Sequence, residues 1–148
     1  MPSNKLPFDL TDDSASAWLQ SLSHLSSVNA ANQLNKVVKQ FRSTKSDSTN
    51  TLKILIQLTP TALYIISDIE SSLQADESQN TDKTQKIKKL CIQLLRNLSL
   101  SFYVFSNTSK LADDEKNQAT YMSLQVIGYS QRLTTIFHQP PSSTLWKL

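Results

Sequence analysis

Ile87-Lys88-Lys89-Leu90-Cys91-Ile92-Gln93-Leu94-Leu95-Arg96-Asn97-Leu98-Ser99-Leu100-Ser101-Phe102-Tyr103-Val104-Phe105 is the stretch that decides the fold. Ile87, Leu90, Cys91, Leu94, Leu95, Leu98, Phe102 and Phe105 recur three or four positions apart. That spacing stacks them on one stripe of an α-helix. No glycine or proline interrupts the run, so the pattern predicts one long helix over about 83–108.

Toward the C-terminus, Asp113, Asp114 and Glu115 suit the positive end of a helix dipole. Tyr121, Met122, Leu124, Val126, Ile127, Leu133, Ile136 and Phe137 follow, predicting a helix over 113–138. Its apolar residues near 121–127 occupy more than one face, which predicts a central place in the fold. Each of the two helices would be roughly 40 Å long. Only about four residues join them, so they should pack antiparallel.

Toward the N-terminus, residues 51–74 carry Leu52, Leu55, Ile56, Leu58, Leu63, Ile66, Ile69 and Leu73 at helical spacing. Pro60 interrupts that stretch. An interior proline removes a backbone bond and crowds the preceding turn, so a kink or two short helices meeting at Thr59-Pro60 is expected. Val28, Ala31, Leu34, Val38 and Phe41 predict a helix starting near Ser26 or Ser27 and reaching Arg42. Ala15, Trp18, Leu19 and Leu22 predict another, with Thr11 as its N-cap and Asp12 and Asp13 in its first turn. Polar loops are expected over 43–50 and 75–82.

The expectation is therefore an all-α, antiparallel bundle of about five helices. Residues 1–10 form an extended lead-in whose Phe8 and Leu10 can dock on the core. Residues 11–138 form the bundle. Residues 139–148, with Pro140-Pro141 and then Leu145-Trp146, read as the start of a linker or helix leading to a further C-terminal region.

Composition supports this and excludes several classes. The chain has 148 residues and one glycine, Gly128. Primed hairpin turns and phosphate-cradling loops need several glycines, so neither a strand-rich fold nor a nucleotide loop is expected. The net charge is +3, carried mainly by lysine. Arg42, Arg96 and Arg132 are scattered, whereas nucleic-acid readers cluster arginine on one face. A single cysteine forbids an internal disulfide and suits a reducing, cytoplasmic compartment. No apolar h-region follows the N-terminus, and no run of 18 apolar residues exists, so neither a signal peptide nor a membrane span is expected.

Few residues carry chemistry. His24, Cys91 and His138 lie on separate segments without zinc-site spacing, so no metal or other cofactor is expected. The carboxylate clusters, Asp12/Asp13, Asp76/Glu77 and Asp113/Asp114/Glu115, sit at helix starts or in loops, where capping and solubility explain them. Lys83, Lys86, Lys88 and Lys89 form the one basic patch. It stands at a helix N-terminus, where the dipole disfavours cations. Such a run commonly keeps a helix face solvated; the mismatch is the argument for the other reading, an acidic partner, for which Lys83, Lys86 and Lys89 are the candidate contacts, with Trp146 continuing the surface beyond the bundle. A second candidate is an apolar ligand groove between the two long helices near Tyr103, Phe105 and Tyr129. Neither arrangement supplies a catalytic group, so the chain is not expected to be an enzyme.

Three stretches carry a family resemblance. They are Phe8-Asp9-Leu10-Thr11-Asp12 leading into Ala17-Trp18-Leu19, then Leu94-Leu95-Arg96-Asn97-Leu98 with Tyr103 and the acidic start at 113, then Pro140-Pro141 before Leu145-Trp146. In this order they resemble the N-terminal helical half of gammaproteobacterial cytoplasmic proteins with a C-terminal PilZ-type region linked to cyclic-di-GMP. The resemblance implies a regulatory or adaptor domain that contacts a protein partner or its own C-terminal domain. The Arg-x-x-x-Arg and Asp/Asn-x-Ser-x-x-Gly signatures of a PilZ site are absent here. The resemblance therefore assigns nucleotide binding to the other half.

Overall fold

A computed structural model of the chain describes residues 6–43, 49–75, 82–108 and 110–138. The helices are α1 (Asp12–Ser21), α2 (Ser27–Ser43), α3 (Thr49–Ala75), α4 (Asp82–Ser106) and α5 (Asp113–His138), with a 3-10 turn over Leu22–His24 between the first two. The described residues contain no strand, and the expected all-α bundle is what forms.

The local signals act as their chemistry requires. Thr11 is extended and its hydroxyl accepts from the Ser14 N–H at 3.1 Å, capping α1. Ser26 does the same for the Asn29 N–H at 3.2 Å at the head of α2. Glu115 accepts from the Ala112 N–H at 2.9 Å, tying down the entry to α5. That bond, then one from Thr49 and the Lys53 charge, holds the Glu115 carboxyl below its ordinary value. Its contribution is therefore present above the usual carboxylate pKa and is lost as pH falls through the depressed one. Phe8 folds back from the lead-in onto Trp18, ring centroids 5.2 Å apart, and joins the core with Leu10 against its edge.

Side-chain bonds set the topology. Ser99 and Ser123 hydroxyls each donate to the other's backbone carbonyl, at 3.1 and 3.0 Å, which pins α4 antiparallel to α5. Asn97 Nδ2 donates to Asn35 Oδ1 at 2.8 Å, and Ser101 donates to the Val38 carbonyl at 3.3 Å. Both bonds advance in the same sense along the two helices, so α2 and α4 are parallel neighbours. Ser27 of α2 bonds Asp68 near the far end of α3, which makes α3 the descending crossover between them. Gln57 donates to Ser16 at 2.6 Å and holds α1 along α3.

The central helix is α4, which packs on α5, α2 and α3. Its stripe of Cys91, Leu94, Leu95, Leu98 and Phe102 is wholly buried. Each such leucine or phenylalanine contributes roughly 1.5–3 kcal/mol relative to exposure. The expectation that α5 is central is corrected. Among the described side chains of α5, only Ala119, Val126, Ser130 and Leu133 are buried, while Tyr121 and Leu124 face solvent.

The alternative of two short helices at Thr59-Pro60 is also corrected. Pro60 lies inside one continuous α3. Pro60 is on the exposed side, where water can reach the carbonyl it leaves unbonded, and Thr59 hydroxyl bonds the Leu55 carbonyl at 2.9 Å. By length and composition, Thr49–Gln74 could cross a membrane, yet half of its most apolar window is buried within the bundle, as in a core helix.

Gly128 sits mid-way along α5 without a positive φ, and a Cβ placed there would meet no atom within 4 Å. A helix-interior glycine costs about 1 kcal/mol relative to alanine. Nothing among the described residues uses the freedom or the space that it provides.

Candidate functional site

The parallel pairing of α2 and α4 creates the site. Their register sets Ser27 level with about Lys89, so the first two turns of α4 project beyond the start of α2 by roughly 10 Å. Between this ledge and the first turns of α2 lies an open groove of about 620 Å³. Val28, Ile87 and Leu90, each partly buried, supply its apolar part. Ser26, Asn29 and Asn32 line the α2 side, and Lys83 and Lys86 line the α4 side.

Among the described residues, the lining contains two cations and no carboxylate. Lys83, Lys86 and Lys89 are exposed, and none makes an ion pair among the described residues. Among the described residues, Asp82 in the first turn of α4 and Asp68, which accepts from Ser27, stand near these helix starts without lining the groove. Lys88 turns away, with its ammonium 5.6 Å from the centre of the Phe137 ring on α5. The groove can therefore hold an anionic group against Lys83 and Lys86 while an apolar side chain rests on Ile87 and Leu90. Lys89 stands beside this surface without lining it, and Trp146 lies outside the described residues.

The second candidate set is spread out. Phe105 is in the core, Tyr103 is 60 % exposed and Tyr129 is half-buried. The serine register places Tyr129 level with about Gln93, some 18 Å along α4 from Phe105. Arg132 stacks over the Tyr129 ring at 5.5 Å. Burial, then the neighbouring Glu70 and Cys91, push the Tyr129 phenol up, opposed by Arg132. The structure thus brings Lys83 and Lys86 together and leaves Tyr103, Phe105 and Tyr129 apart. The groove's α2 wall, Ser26, Asn29 and Asn32, was not anticipated. Its only local signal is three short polar residues beside Val28 in the first turns of α2.

His24 ends the turn after α1 and is exposed, and His138 ends α5. Cys91 is wholly buried, and burial followed by the Glu70 charge raises its thiol from 9.0 to about 12. Only the thiolate is nucleophilic, so the folded chain should resist thiol reagents. A thiol-disulfide colour assay should give no signal in buffer and one equivalent in denaturant. Prompt reaction under native conditions would contradict this burial.

No curated protein and no solved structure matches the chain. A family model does match, over residues 13–148: the N-terminal domain of the cyclic-di-GMP receptor FimW. The match takes in α1 from its second residue, the other four helices and the groove between α2 and α4, and the chain belongs to this family of cyclic-di-GMP receptor N-terminal domains.

Proposed function

We propose that this chain is a non-enzymatic regulatory domain working in the cytoplasm, which transmits a receptor's state by gripping an acidic, apolar-anchored helical segment. That segment belongs to a protein partner or to the receptor's own C-terminal region. The observation that carries this reading is the groove lining, in which, among the described residues, Lys83 and Lys86 stand with Val28, Ile87 and Leu90 and without a carboxylate. An amphipathic helix laid in a groove uses its apolar residues as anchors and its charges for orientation. Family membership supports the signalling setting. Nucleotide recognition by paired arginines has no counterpart in the groove, so the second messenger is assigned to another part of the receptor.

The test is a titration of the isotope-labelled chain with a helical peptide bearing glutamates around two leucines. Amide shifts should centre on Val28, Ile87 and Leu90. Affinity should fall as salt rises and drop at least tenfold in K83E/K86E. Shifts elsewhere, or binding indifferent to the charge reversal, would remove the reading. Cyclic-di-GMP moving the same amides would replace it with direct nucleotide binding.

A further inference from the structure

We propose that the outer face of α5 docks a second copy of this chain, with the two α5 helices crossing antiparallel where Leu124 of each copy fits the bare backbone at Gly128 of the other. Tyr121 and Leu124 on α5 are 60 % and 63 % exposed, and Leu100, Tyr103 and Val104 on α4 are exposed beside them. The reciprocal Ser99–Ser123 bonds put Leu100 and Leu124, the next residue on each helix, on the same side of the pair. Contiguous apolar surface of this kind marks an interaction site.

The α5 stripe runs Asn117, Tyr121, Leu124, Gly128, Gln131, Thr135, alternating steps of four and three, the seam of a two-helix contact. Every member except Gly128 is exposed, and none is charged. A chain of net charge +3 repels its own copy, so a self-contact needs a neutral seam, whereas a partner chosen by charge would leave cations on it.

Self-complementarity identifies the occupant. In an isologous contact each residue meets a different residue of the copy. An axis level with Val126 sets Leu124 against Gly128, Tyr121 against Gln131 and Asn117 against Thr135. The large apolar side chain meets the one position without a side chain, the phenol meets an amide, and an amide meets a hydroxyl. The space over Gly128, which no atom of the described residues fills, is then occupied.

Sedimentation equilibrium from 5 to 500 μM tests this. The apparent mass should rise from 16.6 kDa toward twice that value. Leu124→Glu should keep its circular dichroism and remain a monomer. Gly128→Leu separates the proposal from a fold defect. It should raise the melting temperature of dilute monomer, because the helix gains a residue better suited to it, yet weaken self-association at least tenfold. K83E/K86E should dimerise like the parent chain, which keeps this test independent of the groove. A parent chain that stays monomeric at 500 μM, or a Gly128→Leu variant that dimerises unchanged, would overturn the assignment.

Discussion

Phe102→Ala should lower stability by about 3–5 kcal/mol, the range for deleting a buried aromatic side chain. Phe102 has no exposed surface and heads the fully buried side chains by volume. It lies on α4, where α2, α3 and α5 converge, so no single neighbour can close the space by a small shift. Urea unfolding should show a lower midpoint at unchanged slope. The melting temperature should fall by about 6–20 °C for a domain of this size. Arg96→Ala, on the exposed side of α4, should stay within about 0.5 kcal/mol of the parent. Equal losses in the two variants would mean that α4 is rotated from the orientation described.

Asn97→Ala should cost about 1–3 kcal/mol, and more than its loss of volume explains. The Asn97 amide donates to Asn35 inside the α2–α4 contact, and both residues are 7 % exposed. Removing the donor leaves the Asn35 oxygen buried without this bond. Asn35→Leu with Asn97→Leu should recover much of the loss, since two apolar groups leave that pair nothing to satisfy. The cycle through both single variants should give a coupling of about 0.5–3 kcal/mol. Additive losses would show that the two amides do not meet. The pair also selects a register, because sliding either helix by one turn strands two amides among leucines.

The helices were legible because each announces itself locally. The Asp113 start of α5, the Thr11 cap and the α4 stripe all lie in stretches that need no knowledge of their neighbours. Pro60 left a break in α3 open because a proline's cost depends on which side of the helix it occupies, and that side is set by packing. The place of α5 was misread for a related reason. Apolar residues on two faces signal burial on two faces, but Tyr121 and Leu124 are uncovered in the single chain. Half of the candidate groove's lining was visible, since lysines at a helix start conflict with the dipole. The other half depends on α2 lying parallel to α4. The sole local hint is an asparagine within each apolar stripe, Asn35 and Asn97, whose partnership spans 62 positions.

The helix that completes the core is fourth in order along the chain, and this matters while the protein is being made. Leu34 and Val38 of α2 and Leu55 and Ile66 of α3 are fully buried in the finished bundle. On a translating ribosome they emerge before α4 exists to cover them. At synthesis rates of roughly 5–20 residues per second, the wait for α4 lasts about 2–6 s. During those seconds the nascent chain displays two uncovered apolar stripes, long enough for a chaperone to bind or for neighbouring nascent chains to stick together.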